Sequence, residues 1–192
     1  MALSFFLAGW MGAEETAEQL FYRYQDSSNV TYLQKLFAMH GSDLYHFLLQ
    51  QSDRTLAEDI SQQVWLTLLE QPGSFRGASS FKTWLFSIGR NGLIDELRRL
   101  KRWQPEALLD DMSTDGHCPE QQLSRAKQQL QLGKQLQLLP FLQREALMLQ
   151  LEGFSIAQIS DITQQPDETI KSRLRYARQF LQQLAGVSDD NA

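Results

Sequence analysis

The side chains best suited to chemistry are basic and aromatic residues interleaved between Phe75 and Arg102. Residues 76–102 hold seven lysines and arginines against two carboxylates, Asp95 and Glu96. Cations at this density can hold the phosphates of a nucleic acid, and planar groups between them can stack on unpaired bases. The run therefore points to single-stranded nucleic acid as a ligand. Its periodicity, taken alone, favours a plainer interpretation, an amphipathic helix with a solvated charged face.

A second basic segment lies towards the carboxyl end of the chain. A short helix is predicted over Ile156–Thr163, a turn at Gln164-Gln165-Pro166, and a last helix that Asp167 or Thr169 can cap. Two short helices joined by a tight turn, with a basic second helix, are typical of a helix-turn-helix that reads the major groove. The alternative is a plain helical hairpin with a solvated basic face.

A third polar group precedes the first basic run. Four acids and amides, Glu58, Asp59, Gln62 and Gln63, lie opposite an apolar stripe at helical spacing. On its own this pattern is that of a solvated face.

Other kinds of chemistry find no support in the sequence. Cys118 is the only cysteine and His40, His46 and His117 are scattered, so neither a metal site nor a catalytic constellation is predicted. No cofactor, small-molecule substrate or enzymatic activity is expected. Residues 1–12 are apolar but too short to span a bilayer and lack a basic start, so we expect no signal peptide or membrane insertion and a cytoplasmic protein. The role of that segment stays open between a membrane-surface segment, a segment that docks on the core, and an upstream extension with Met11 as an alternative start.

Helices alone must position these groups, because no strand pattern occurs in the chain. Apolar periodicity predicts the following helices: Glu14–Tyr24; Val30–Gln51, where Gly41-Ser42 allow an interruption; about Leu56–Gln71; one capped by Ser79 or Ser80; Leu123–Leu139; about Leu142–Glu152; and the two of the helix-turn-helix. In the helix after Ser80, Phe81, Trp84, Leu85 and Ile88 are predicted to face the core, with Lys82, Phe86, Arg90 and Asn91 on other faces.

Charge and composition divide the chain into two domains. The charged residues of segment 103–124 are all carboxylates, with no lysine or arginine among them. The segment also carries Pro105, Gly116 and Pro119 and has no apolar periodicity, which predicts a flexible linker. The net charge of −5 is spread unevenly, with the cations concentrated in two patches. The predicted divisions are 1–29, an extension and helix; 30–102, a first domain; 103–122, the linker; 123–186, a second domain; and 187–192, a tail.

These motifs together resemble the extracytoplasmic-function group of bacterial sigma-70 factors, which keep only sigma domains two and four. The resemblance covers about Leu33 to Leu184. It is carried by Ala57–Trp65, by Phe75-Arg76-Gly77 with Ser80–Leu85 and Arg90–Arg99, and by Thr169–Arg178. The chain departs from the family at Leu56 and Glu168, and at Gly89 and Gly92, which flank Arg90-Asn91. The glycines imply either a locally deformable helix or a close approach by a neighbouring backbone.

The resemblance implies a role for each group. Glu58, Asp59, Gln62 and Gln63 would bind the clamp of core RNA polymerase. The residues expected to melt and hold minus-10 DNA are Phe75, Arg76, Ser79, Ser80, Lys82, Trp84, Arg90, Asn91, Arg98 and Arg99. Those expected to read minus-35 DNA are Thr169, Lys171, Ser172, Arg173, Arg175, Tyr176 and Arg178.

The resemblance also implies partners and a mode of regulation. A sigma factor of this group binds the clamp and flap of core polymerase and promoter DNA, and is usually held by an anti-sigma factor. The alternative from the residues is a two-domain helix-turn-helix regulator that binds only duplex DNA. A third interpretation is a helical adaptor that binds protein alone. The promoter sequence, the inducing signal and the anti-sigma factor are not encoded in this chain.

Overall fold

The computed structural model describes residues 15–100, 133 and 135–189, and the part of the chain that it describes is helical, without a strand. The all-α prediction is confirmed. The helices with defined bounds are α1, Ala17–Ser27; α2, Val30–Gln51; α3, Arg54–Glu70; a 3-10 turn, Pro72–Ser74; α4, Phe81–Arg99; α5, Phe141–Leu151; α6, Ile156–Thr163; and α7, Asp167–Asp189. The predicted linker and most of the helix Leu123–Leu139 lie outside the described residues.

Helices α1 to α4 form the first unit, which packs around a core of large aromatic and aliphatic side chains. Phe21, Phe47, Phe81 and Phe86 are completely buried in it. Helix α1 packs along α2 and also contacts α4 and the 3-10 turn. Residues 17–27, which the sequence analysis set apart from the first domain, are therefore packed against its helices.

Helices α5 to α7 form the second unit, in which α6 and α7 make the predicted helix-turn-helix. Ser155 caps α6 in a capping box with Gln158, and Gln164 ends it in the left-handed conformation at φ 55°. Ile159, Ile162, Ile170 and Leu174 are buried between the helices. The short, well-capped α6 thereby fixes the angle at which α7 leaves the turn.

The two units pack directly against each other. Helix α4 lies against α6, and α2 lies against α5. One continuous hydrophobic core runs through both units. The cations of α4 are consequently close to the second unit, which the sequence could not indicate.

Three details of the predicted helices are wrong. Helix α2 is continuous through Gly41 and Ser42. Helix α3 begins at Arg54, because the Asp53 carboxylate accepts the N–H of Leu56 at 2.9 Å and caps the helix two residues earlier than predicted. Asp167 and Thr169 lie inside α7 instead of before it.

Among the described residues, no helix combines the length and apolar character needed to cross a bilayer.

Candidate nucleic-acid interface

The four predicted polar residues of α3 share the exposed side of the helix. Glu58, Asp59, Gln62 and Gln63 are all exposed, while the opposite side of α3 is buried. Glu58 forms an exposed ion pair with Arg54 at 2.7 Å, a kind of pair that contributes little to stability. This side of α3 is therefore available to a partner.

Exposed apolar side chains extend the same surface. Phe37, 55% exposed, contacts the Trp65 ring edge-on at 5.1 Å, and Leu66 and Leu69 are 40% and 44% exposed. Apolar periodicity would place Phe37 and Leu69 in the core, but both side chains are exposed. Leu66 was not identified, although it follows Gln62 at i+4 on the same face. An exposed apolar patch beside acids and amides is typical of a protein-binding surface.

Helix α1 holds the loop between α3 and α4. The Gln25 side-chain amide donates to the carbonyls of Pro72 and Phe75. The Glu18 carboxylate accepts the N–H of Phe81, the first residue of α4, at 2.8 Å. Burial raises the pKa of Glu18, but the hydrogen bond from Phe81 and further bonds from Thr16 and its own backbone lower it more. The loop is thus fixed by residues of α1, which α2 and α3 separate from it in the sequence.

Within this loop, Gly77 stands in a position where any side chain would be strained. Its φ is +71°, and a Cβ built there would clash with the hydroxyl of Tyr22 unless that side chain moved. Tyr22 is 42% exposed and its ring lies 5.8 Å from that of Phe75. Sequence reasoning missed Tyr22, since only the fold brings α1 beside the loop.

The predicted minus-10 residues of the loop lie in different surroundings. Arg76 is exposed, Ser79 is half-buried, and Ser80 caps α4 by accepting the N–H of Thr83 at 3.1 Å. Phe75 is 3% exposed and packs against Phe21, Phe81 and Trp84. In this conformation, then, the Phe75 ring supports the loop from the core side.

Along α4 the predicted contacts fall into two groups. Asn91, Arg98 and Arg99 are exposed, and the two arginines pair with Asp95 and Glu96 on their own helix. Lys82 and Arg90 instead face the second unit. Arg90 donates two hydrogen bonds to the Glu145 carboxylate, at 2.8 and 3.3 Å.

Two aromatic residues of α4 are less accessible than a base-stacking role requires. Trp84 is half-buried within the aromatic cluster. Phe86 was predicted to lie on an outer face, which is wrong: it is completely buried between Phe47 and Phe154, with ring centroids 5.4 and 4.9 Å away. The second unit covers the side of α4 that the apolar periodicity of this helix, taken alone, assigned to solvent.

Helix α7 presents most of its predicted contacts to solvent. Lys171, Ser172, Arg175, Tyr176 and Arg178 are exposed, and Thr169 is half-buried. A 2.6 Å ion pair between Lys171 and Glu168 raises the pKa of the lysine and lowers that of the acid. The acidic start of α7 thus partly neutralises its first cation.

Arg173 differs from the other cations of α7. It is half-buried, and its Nη1 atom has no hydrogen-bond partner among the residues that the structure describes. Burial lowers its pKa, Glu145 opposes that change, and Arg90 adds to it. Arg173 therefore shares an electrostatic environment with the Arg90–Glu145 pair.

Among the described side chains, no group of histidines, cysteines and acids could hold a metal ion.

Comparison with known protein families agrees with this geometry. Residues 36–103 match the family model for sigma-70 region 2, and residues 129–181 match that for sigma-70 region 4. The first match covers most of α2 with all of α3 and α4, and the second includes α5, α6 and most of α7. The two packed units therefore correspond to two separately defined sequence families.

Relatives of known identity resemble the chain over most of its length. The RNA polymerase sigma factor SigM of Mycobacterium tuberculosis is 31% identical over 155 residues, which cover 79% of this chain and 76% of the relative. SigM of Bacillus subtilis is 30% identical over 166 residues, covering 82% and 99% respectively.

Solved structures show the same fold. The sigma factor RpoE of Bartonella quintana, crystallised with the anti-sigma factor NepR, superposes with a TM-score of 0.67 at 29% identity, covering 83% of this chain and 99% of that one. CnrH, solved with the cytosolic domain of CnrY, superposes with a TM-score of 0.62 at 20% identity and covers 90% of this chain and 97% of its own.

Proposed function

Since the chain belongs to the extracytoplasmic-function group of RNA polymerase sigma factors, we propose that it joins core polymerase in the cytoplasm and directs it to a specific set of promoters. The observation that carries this proposal is the pair of family matches on one chain, region 2 before region 4. Polymerase performs the chemistry of transcription, and this chain selects the start site.

Polymerase binding is assigned to α3. Glu58, Asp59, Gln62 and Gln63 would hydrogen-bond cationic and polar groups on the clamp of the largest subunit. Phe37, Leu66 and Leu69 lie beside them and would bury apolar surface in the same contact. A protein interface with a polar rim and an apolar centre has this composition.

Minus-10 recognition is assigned to the loop 73–80 and to α4. The loop would receive a base flipped out of the non-template strand, and Asn91 would anchor that strand. Arg76, Lys82, Arg90, Arg98 and Arg99 would hold its phosphates, with Ser79 and Trp84 beside the loop. Unstacking a base costs a few kcal/mol, so the loop must offer contacts that only the extruded base can make.

Minus-35 recognition is assigned to α7, the second helix of the helix-turn-helix. Its exposed residues Lys171, Ser172, Arg175 and Arg178 would reach phosphates and base edges in the major groove, joined by Thr169, Arg173 and Tyr176. The second unit would also contact the polymerase flap.

Regulation is assigned to a protein partner. RpoE of Bartonella quintana, which shares the fold and 29% of its residues with this chain, was solved with an anti-sigma factor. A corresponding anti-sigma factor would hold this chain away from polymerase until a signal arrives. Co-purification of the chain with the product of a neighbouring gene tests this.

The decisive experiment is transcription by purified core polymerase, with and without the full chain, on a genomic template library. We expect new, promoter-dependent start sites only when the chain is present. Binding to duplex DNA without any initiation would instead identify a helix-turn-helix regulator, and an absence of both would leave an adaptor that binds only protein.

Substitution of Asn91 tests the minus-10 assignment within that assay. Asn91→Ala should leave promoter association intact and reduce strand opening, measured by permanganate reactivity of unpaired thymines. Gln34→Ala, which removes an exposed amide from α2, is the matched control. Equal loss of association and opening would contradict the assignment.

Substitution of Arg173 tests the minus-35 assignment. Loss of a base-reading contact should cost about 1–3 kcal/mol on the matched minus-35 sequence and little on a scrambled one. Equal losses on both sequences would make Arg173 a phosphate contact. No loss on either would remove it from the interface.

A further inference from the structure

Helix α1 meets the loop between α3 and α4 through one line of side chains. Glu18, Tyr22 and Gln25 follow one another at i, i+4 and i+7, the spacing that places residues on one side of a helix. Gln25 donates to the carbonyl of Phe75 at 3.3 Å, near the start of the loop, and Glu18 accepts the N–H of Phe81 at 2.8 Å, just after its end. Tyr22 therefore lies between the two residues of α1 that fix the loop.

Tyr22 contacts both the side chains and the backbone of the loop. The centre of its ring lies 5.8 Å from that of Phe75, and a Cβ built on Gly77 would clash with its hydroxyl. Because Gly77 has no side chain, the loop backbone can approach the phenol closely. Tyr22 is nevertheless 42% exposed. One part of this side chain is thus held against the loop, and another part is open to solvent.

The other rings around the loop are less accessible than that of Tyr22. Stacking on a base requires a ring face that the base can reach. Phe21 and Phe81 are completely buried, Phe75 is 3% exposed, and Trp84 is half-buried among them. Phe75 and Trp84, the aromatic residues that the sequence assigned to minus-10 DNA, could therefore stack on a base only after the cluster rearranges. Tyr22 could do so without rearrangement.

The surroundings of Tyr22 suit a strand that enters the loop. Arg76, which lies between Phe75 and Gly77 in the sequence, is exposed and can hold a phosphate of the same strand. Because the hydrogen bonds from α1 already fix the loop, little conformational freedom is lost when a base arrives. The match to sigma-70 region 2 begins at residue 36, so it does not include α1.

We propose that Tyr22 stacks on the base that the loop 73–80 receives from the non-template minus-10 strand, which makes α1 part of the DNA-binding surface. The inference rests on the proposed function of this loop. Stacking on an aromatic ring tolerates every base, because each base has a π-face. Tyr22 therefore contributes affinity for the extruded base, while hydrogen bonds from other groups select which base it is.

The test uses the full chain bound to core polymerase and two substitutions of Tyr22. Tyr22→Phe keeps the ring and removes the hydroxyl, whereas Tyr22→Leu keeps an apolar side chain without a ring. Met39→Ala, which shortens an exposed apolar residue of α2, is the control. The probe is a fluorescent promoter fragment from a start site that the wild-type chain uses, with only the non-template strand present over the minus-10 positions. Its affinity for the complex is measured by anisotropy.

We expect Tyr22→Leu to lower the affinity for this probe by about five- to 150-fold, which corresponds to the loss of one stack between a base and an aromatic ring. Tyr22→Phe and Met39→Ala should bind like wild type, because the first keeps the ring and the second lies away from the loop. Wild-type affinity in Tyr22→Leu overturns the proposal, as does an equal loss in Tyr22→Phe.

Probes with one abasic site distinguish stacking from mere support of the loop. On the probe that lacks the extruded base, the difference between Tyr22→Leu and wild type should disappear, and on the other probes it should persist. A loss of the same size on every abasic probe would show that Tyr22 only supports the loop, and overturns the proposal.

Promoter-dependent initiation by the wild-type chain is measured in parallel. If it occurs and Tyr22→Leu binds the probe like wild type, only the stacking role fails. If it is absent on every template, the proposed function fails and the stacking role fails with it.

Discussion

The two glycines that flank Arg90-Asn91 in α4 provide a quantitative test of how this helix is packed. A Cβ built on Gly92 would lie 3.5 Å from the Ile60 Cγ2 atom and 3.7 Å from its Cδ1 atom, which is ordinary van der Waals contact. A Cβ built on Gly89 would lie 2.8 Å from the Leu44 Cδ1 atom. Leu44 is completely buried, so its methyl group has little room to move away.

The two substitutions should therefore differ in their effect on stability. Alanine in place of glycine within a helix stabilises it by up to about 1 kcal/mol. Gly92→Ala should show most of this gain. At Gly89 the same gain is offset by an overpacking cost of about 1–3 kcal/mol, so Gly89→Ala should range from neutral to about 2 kcal/mol less stable.

Urea unfolding followed by circular dichroism measures both variants against wild type, with each serving as the control for the other. A difference of 1 kcal/mol corresponds to a shift in Tm of about 2–4 °C for a chain of this size. If Gly89→Ala stabilises as much as Gly92→Ala, the Leu44 contact does not constrain the helix. If Gly92→Ala is stabilised but no longer opens promoters, α4 needs the flexibility of its glycines rather than the space.

Two further predictions concern α4 and its surroundings. Ser80→Ala should cost about 1 kcal/mol of unfolding free energy, because the Ser80 hydroxyl caps α4. Ser79→Ala is the control, since its hydroxyl only reaches the carbonyl of Ser80 at 3.3 Å, and a similar cost in both would refute this cap. Burial, reinforced by Lys82, lowers the pKa of His40 below its ordinary 6.5 against the opposing charges of Asp43 and Glu18. The unfolded chain then takes up this proton first as the pH falls, so the His40 contribution to stability is complete above 6.5 and is lost below it. The fall in Tm on acidification through 6.5 should be smaller in His40→Gln, and an unchanged fall would assign the pH dependence to other groups.

The helices could be predicted from the sequence because their signals are local. Ser155 with Gln158, the left-handed Gln164, and the apolar spacing of Ile159 and Ile162 act within one or two turns. The exposed acid-and-amide side of α3 was predicted correctly for the same reason. The helix-turn-helix and the family resemblance both rest on such short-range patterns.

What the sequence could not predict depends on contacts between distant segments. Periodicity assigned Phe86 to solvent, because nothing in α4 shows that Phe154 will cover it. The partner of Arg90 is a carboxylate 55 positions away, and charge counts do not select among the acids of the chain. The close approach expected at Gly89 proves to come from the Leu44 side chain and not from a neighbouring backbone.

The packing of α4 against α6 also determines how the native chain fluctuates. Phe86 and Phe154 belong to one hydrophobic core, so each unit contributes to the resistance of the other to local unfolding. The amides at this contact are bonded within their own helices, as that of Ile159 is to the Ser155 carbonyl at 2.9 Å, so they exchange with solvent only when the helix itself opens. Native-state hydrogen exchange at the buried residues Phe86 and Ile159 thus reports the free energy of local helix opening at this contact in the unmodified protein, without a promoter, a polymerase or a substitution.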